Sequence, residues 1–189
     1  MNPILLDFPD HFETERLLIR APRPGDGAEI NAAVRESWAE LRPWMPFAAG
    51  DFPTPEESEA RVRRVHAAFL QREDLHLLAF LKGTDTLVVA TGLHRINWNV
   101  PRFEIGYWAR TPYAGQGYVT ETVRGLTDFA FTVLGAKRVE IRCDAENERS
   151  AAVAQRAGYR LEATLRREDR HHLTKELRDT LVFVCFEPV

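Results

Sequence analysis

At 189 residues the chain suggests one domain, large enough to bury roughly 70% of its unfolded surface. Hydrophobic and charged contents of 44% and 28% suit a water-soluble globular fold, and a formal net charge of −3 argues against a global basic field for nucleic acid. No run approaches membrane-spanning length and no basic, then apolar leader opens the chain, so a cytoplasmic protein with no membrane partner is expected.

In chain order, residues 1–12 read as a loosely attached lead-in, and Thr14–Arg20 as a first strand ended by Pro22 and Pro24. Asp26 suits the N-cap of a helix to about Ala39, with Ile30, Val34 and Trp38 at four-residue steps. Leu41–Phe47 is too proline-broken for a regular element and reads as an apolar loop carrying Trp44. Thr54-Pro55-Glu56-Glu57 is a capping-box start for a helix to about Arg72. Leu75–Lys82 and Leu87–His94 form a hairpin about Gly83-Thr84-Asp85-Thr86, and residues 95–101 loop into the next strand.

That strand opens the most informative stretch, residues 104–121. Phe103, Ile105 and Tyr107 alternate with Glu104, Gly106 and Trp108; the chain then breaks at Pro112 into Ala114-Gly115-Gln116-Gly117. A helical pattern follows at once, in Val119, Val123, Leu126, Ala130 and Val133. A strand feeding a glycine loop at a helix N-terminus is an anion cradle, because the first helical N–H groups lack partners and the helix dipole favours negative charge there. No Lys-Ser/Thr follows the glycines, which excludes a P-loop, and Gly-x-Gly-x-x-Thr without an acidic residue ~20 positions on is a poor dinucleotide fingerprint. Taken alone, the loop fits a tight turn as well as it fits a phosphate site.

Beyond it, Val139, Ile141 and Cys143 alternate inward along Arg138–Asp144. Glu148–Ala157 reads as a short helix closed by Gly158, and Arg160–Leu165 and Leu177–Phe186 as the last strands about a polar connection. Cys143 and Cys185 lie in apolar runs as small core residues. The six histidines show no metal-ligand spacing, so no metal is expected, and His171-His172 reads as solvated. The layout is α+β, an α/β sandwich with a mixed, largely antiparallel sheet and helices on both faces, in a single domain over 1–189 with its core at about 13–186.

Together, Thr14-Glu-Arg-Leu, Glu104-Ile-Gly-Tyr, Gly115-Gln-Gly-Tyr-Val-Thr-Glu, and Asn147-x-x-Ser150 followed by Gly158-Tyr159 resemble the GNAT acetyltransferases. The nearest branch is the RimJ/RimL-like one, which acetylates protein N-terminal α-amines. The resemblance implies the GNAT fold and acetyl-CoA as cosubstrate. It places the pyrophosphate on the loop amides of Gly115, Gln116, Gly117, Tyr118, Val119 and Thr120, and the pantetheine arm along the backbone of Tyr107, Trp108 and Ala109. Asn147 and Ser150 are implied as further contacts to coenzyme A. Ala114 and Val119 depart from the family loop, which often has Arg or Gln at the first position and Gly or Ala at the second; backbone amides survive both changes.

Acetyl transfer needs a neutral amine nitrogen and a proton for the departing thiolate. A terminal α-amine with a pKa of ~8 is roughly a tenth neutral at pH 7, whereas lysine at ~10.4 is under a thousandth, so an α-amine needs only a modest base. Glu104 is the first candidate base and acceptor contact, by its place on the central strand; the alternative is an ion-paired strand carboxylate. Asp169 is the second, by its match to the RimL-like branch, and Glu140 a weaker third. Ser150 is either the proton source for the thiolate or a helix cap, since Ala154 stands where many relatives carry an acidic tyrosine. Trp44 and Trp98 either wall the acceptor site or pack in the core. The acceptor is a protein N-terminus or a small amine such as an aminoglycoside, polyamine or amino acid. A non-catalytic acyl-CoA-binding module and a homodimer also remain open.

Overall fold

The computed structural model describes residues 2–189. Eight strands form one sheet, β1 (His11–Glu13), β2 (Leu17–Arg20), β3 (Leu75–Leu81), β4 (Leu87–Asn97), β5 (Arg102–Ala109), β6 (Arg138–Asp144), β7 (Arg160–Arg170) and β8 (Leu177–Cys185), in the order β1-β2-β3-β4-β5-β6-β8-β7. Every pairing is antiparallel except β5 with β6. The helices are α1 (Gly27–Leu41), α2 (Pro55–Gln71), α3 (Tyr118–Thr132) and α4 (Glu148–Arg156).

Strand alternation sorts the apolar side chains between two layers. Leu17, Ile19, Leu77, Ala79, Phe103 and Ile105 point to the face covered by α3, through Val123, Leu126 and Ala130, and by α4, through Val153 and Ala154. Leu78, Phe80 and Leu87 point the other way, onto Ala33 of α1. Trp108 packs on that second face beside Ala90. Helices therefore cover both faces, and β5 runs between two differently furnished sides.

Local rules explain most of the element boundaries. Thr54 and Glu57 make the reciprocal capping box with Pro55 in the first turn. Asp26 begins α1 but its carboxylate does not cap it. Arg20 takes both oxygens at 2.7 and 2.8 Å, and Glu59 of α2 accepts the N–H groups of Gly25 and Gly27 instead. The same carboxylate also accepts the Arg23 N–H at 2.6 Å, so it closes the turn before the helix rather than the helix's first turn.

Two expectations need correction. The lead-in is fastened: β1 pairs with β2, Phe12 stacks on Phe129 with centroids 4.9 Å apart, and Phe8 packs among Phe69, Trp98 and Phe129. Its aromatic partners lie more than fifty residues away, so the segment shows no local periodicity. β7 runs on to Arg170 past an irregular register after Leu165, so Asp169 is on a strand, opposite Arg178, rather than in a polar connection.

Candidate active site

The sheet is incomplete at its centre. β5 and β6 pair only over Arg102–Glu104 and Arg138–Glu140, although β5 continues to Ala109 and β6 to Asp144. From Ile105 onward β5 is paired on its β4 side alone. The strands diverge into a cleft of about 430 Å³ whose walls include Ile105, Gly106 and Tyr107 on one side and Ile141, Arg142 and Cys143 on the other. Backbone groups on such an edge need a partner, and an extended ligand lying along the strand supplies one. The expected placement of Tyr107, Trp108 and Ala109 falls on this open edge.

At the end of β5 the chain is anchored before it turns. Arg110 is buried between Glu29 and Glu36 of α1, and the Thr111 N–H donates to Ser37 Oγ at 2.9 Å. The loop then reaches Gly117 at φ +85°, a left-handed backbone that favours glycine, and α3 begins. Gly117 brings no capping side chain, so the N–H groups of Tyr118, Val119 and Thr120 have no acceptor among the described residues. Gly117 and Thr120 border a groove of about 980 Å³ that also holds Arg16, Arg124 and Arg156. Glu13, Glu15, Glu121 and Asp128 line the groove as well, so it is the free amides at the helix N-terminus that suit a diphosphate.

Arg16 is a residue that motif spacing missed. Its guanidinium lies 4.4 Å above the Tyr118 ring, binds Glu121 at 2.6 Å and donates to the Gln116 carbonyl at 3.1 Å. Thr14 Oγ1 donates to the same Glu121 carboxylate at 2.6 Å. Burial pulls the Glu121 carboxyl up, but the hydrogen bonds from Thr14 and Arg16 hold it below the usual carboxylate range. The sequence landmarks around Thr14 and Glu121 are thus two halves of one clamp that fixes the glycine loop.

On the α4 side of β5, Asn147 caps α4 by accepting from the Ser150 N–H at 3.1 Å. The cap is therefore Asn147, and the Ser150 hydroxyl is left for other work. It meets the Tyr107 hydroxyl at 3.0 Å, and Tyr107 also reaches the Ser150 carbonyl at 3.0 Å. Burial pushes the Tyr107 phenol up to about 12, against the pull of its hydrogen bond with Ser150. The tyrosine hydroxyl missing from Ala154 on α4 thus has a counterpart reaching α4 from β5. Strand alternation signals that Tyr107 faces α4, but not that it meets Ser150.

The opposite face carries Glu104, whose side chain is 18% exposed and lies 3.5 Å from Arg95. Burial pushes its carboxyl above the usual range, outweighing the pull of Arg95, Arg142 and His94. A buried carboxylate with a raised affinity for protons is suited to general-base work. Trp44 and Asp169 line the same cleft as Glu104, Asn147 and Ser150. Asp169 stays exposed and accepts from the Arg170 N–H at 2.7 Å.

Four side chains fall elsewhere than expected or do something else. Trp98 packs edge-on against Phe103, donates its indole N–H to the Arg72 carbonyl at 2.9 Å and does not border the cleft. An indole flanked by Phe8 and Phe103 gains more from burial than from a loop position. Glu140, the register partner of Glu104 on β6, is buried against Arg138 at 2.5 Å and does not line the cleft. His171 and His172, expected to be merely solvated, hydrogen-bond through Nε2 to the carbonyls of Pro43 and Arg42 at 2.9 and 2.8 Å. They clasp the Trp44 loop to the β7–β8 hairpin.

A family profile described as "Acetyltransferase (GNAT) domain" matches residues 16–160. The "Putative ribosomal N-acetyltransferase YdaF" of Bacillus subtilis (strain 168) is 29% identical over 149 residues, covering 77% of this chain and 78% of that protein. Among solved structures, the microcin C7 self-immunity acetyltransferase MccE, in complex with acetyl-CoA and AMP, superposes with a TM-score of 0.83 at 19% identity, covering 92% of this chain and 94% of its own. RimL, a ribosomal L7/L12 α-N-protein acetyltransferase in complex with coenzyme A, does so with a TM-score of 0.83 at 19% identity, covering 92% and 95%. At such identities the two structures establish likeness of fold.

Proposed function

The chain belongs to the GNAT acetyltransferases and is an acetyl-CoA-dependent N-acetyltransferase; we propose that its acceptor is the N-terminal α-amine of a protein, with Glu104 as the base. Acetyl-CoA supplies an acetyl group activated as a thioester. The amides of Gly115–Thr120, with Arg16, Arg124 and Arg156 nearby, are the residues that would hold its phosphates, and the open edge of β5 its pantetheine arm.

The observation that carries the acceptor reading is the charge pattern around Glu104. Four arginines and four carboxylates line the cleft, and most are paired: Arg95 with Glu104, Arg142 with Glu168, and Arg178 with Asp144. An aminoglycoside or polyamine calls for an acidic cleft, which this is not. A single α-amine on a peptide needs one carboxylate and neutral surroundings. Glu104 takes the proton from the attacking nitrogen, and the Tyr107–Ser150 hydroxyl pair, on the other face of β5, donates toward the departing thiolate. Asp169 stands beside the cleft as a second carboxylate for amine orientation.

Direct attack is favoured over an acyl-cysteine route. Cys143 borders the cleft, but burial pushes its thiol up and keeps it protonated, a poor nucleophile at neutral pH. The acceptor reading is tested by measuring thiol release from acetyl-CoA with N-terminal peptides, aminoglycosides, polyamines and free amino acids. Peptides with free α-amines are expected to turn over and their N-blocked forms not. Turnover restricted to a small amine would replace the acceptor while leaving the enzyme class intact.

A further inference from the structure

One row from Glu104, on the same face of the sheet, lies a cluster that the transfer step has not used. Asp74, in the turn before β3, holds its Oδ1 2.9 Å from His94 Nδ1 and 2.6 Å from His76 Nδ1, the latter outside good hydrogen-bond geometry. The two imidazoles meet edge to face with centroids 4.9 Å apart. These separations are those of charge-assisted contacts and are shorter than the ~3.3 Å between two ligands of a tetrahedral zinc. Burial raises the Asp74 carboxyl, but the two imidazoles together hold it well below the usual range, so it is an anion shared by two rings.

His94 is the register partner of Glu104 across β4 and β5, which sets their Cβ atoms about 5 Å apart on one face. Its ring lies over Gly92 and Gly106, which are themselves register partners. A Cβ at Gly92 would come within 2.7 Å of the imidazole, and one at Gly106 within 2.9 Å. Bare backbone on both strands therefore makes the floor on which the ring rests. Nδ1 is taken by Asp74, and Nε2 makes no hydrogen bond within the described chain.

We propose that Asp74 and His94 are positioning residues for Glu104: the His94 ring, fixed by Asp74 on the Gly92–Gly106 floor, sets a group able to carry a proton's charge beside the buried carboxyl and so favours the form of Glu104 that takes the amine's proton. The proposal rests on the reading of Glu104 as base. The charged and titratable groups around His94 are Asp74 and His76 from the β3 side, Glu104 from β5 and Arg95 on its own strand; Glu140 and Arg142 act on Glu104 from β6. Arg95 is the other cation at Glu104 on this strand, but at 66% exposure it is screened by solvent. Asp74 offsets His94 only in part, because it stands behind Nδ1 and is shared with His76.

The test is the pH dependence of kcat with a peptide that the wild type acetylates. His94→Gln is expected to move the acidic limb to higher pH by about one unit, the effect of removing one nearby opposite charge, with KM for acetyl-CoA unchanged. His94→Asn likewise replaces the ring by a neutral amide on a shorter side chain and is expected to move the limb the same way; it carries the test if His94→Gln does not fold. A merely structural role lowers kcat at every pH without displacing the limb, and that result overturns the proposal. So does stoichiometric zinc in the wild type that is lost in His94→Gln. Glu104→Gln reports separately: if it abolishes the limb while His94→Gln leaves it in place, only the present proposal falls. If Glu104→Gln retains both limb and rate, the base assignment itself fails.

Discussion

The two sides of β5 are built by different means. Toward α3 and α4 the site is mostly main chain: uncapped amides at Tyr118, Val119 and Thr120, a left-handed Gly117 and an unpaired strand edge, with side chains such as Arg16 and Glu121 serving to brace them. Toward α1 it is side chains: Glu104, its arginine and histidine neighbours, Trp44 and the clasping imidazoles. Main-chain recognition tolerates sequence change, since Ala114 and Val119 still present N–H groups, so the first side suits a ligand common to a whole family. The second side changes with every substitution and suits the part that selects an acceptor.

If that division is right, substitutions separate cleanly into those that change turnover and those that change cofactor affinity. The largest effect is expected at Glu104. Glu104→Gln is predicted to lower kcat by about 10²–10³-fold, within the range for removing a general base, with little change in affinity for coenzyme A. Its stability effect runs the other way. A carboxyl whose folded pKa is raised contributes stability in its protonated form, and that contribution is lost as pH rises from the ordinary carboxylate range through the raised value. The neutral glutamine escapes this loss, so its melting temperature at pH 7 is expected to equal or exceed wild type. Unchanged kcat in both Glu104→Gln and Asp169→Asn would erase the acceptor side of the comparison.

Next in size is Gly117→Val. A β-branched residue at φ +85° costs about 1–2 kcal/mol and displaces the amides, so calorimetry should show coenzyme A binding weakened by roughly tenfold. The expected kcat at saturating acetyl-CoA changes far less. A variant that binds coenzyme A as tightly as wild type would contradict the main-chain account. Tyr107→Phe, on the α4 side, should lower kcat about tenfold while sparing both KM values, with Ser150→Ala milder because the phenol remains. Equal rates for the double variant and wild type would assign the thiolate's proton to solvent.

The smallest effect belongs to the clasp. His171→Ala with His172→Ala frees the Trp44 loop from the β7–β8 hairpin and is expected to raise KM for the acceptor several-fold, each hydrogen bond contributing about 1 kcal/mol. KM for acetyl-CoA should stay put. If instead acetyl-CoA affinity falls as much, the clasp serves the whole cleft and the two sides are less separate than drawn.

Much of the cofactor side was legible before any coordinates. The break at Pro112, the glycines and the helical period after Gly117 are neighbours in sequence, and neighbours determine local backbone shape. Capping at Thr54 and the hairpin at Gly83 were readable for the same reason. Asp26 stands at the N-cap as its place in the sequence implies, but its carboxylate is taken by Arg20 and the Arg23 N–H, which the pattern of the helix does not reveal. Trp98 was placed between two roles because a loop position does not reveal Phe8 and Phe103 on either side of the ring.

By itself, the sequence determined the order of the main elements, the glycine loop at the start of α3 and the identity of the central strand, because turn chemistry and hydrophobic period act over a few residues. Tertiary structure alone decided which side chains meet. Thr14 and Glu121 are 107 residues apart, and His172 and Arg42 are 130 apart. His94 faces Glu104 only because β4 and β5 pair in one register, and a slip of one residue would turn either side chain to the other face. Such contacts depend on strand register and on the divergence of β5 from β6, properties of the assembled sheet that no short stretch of chain carries.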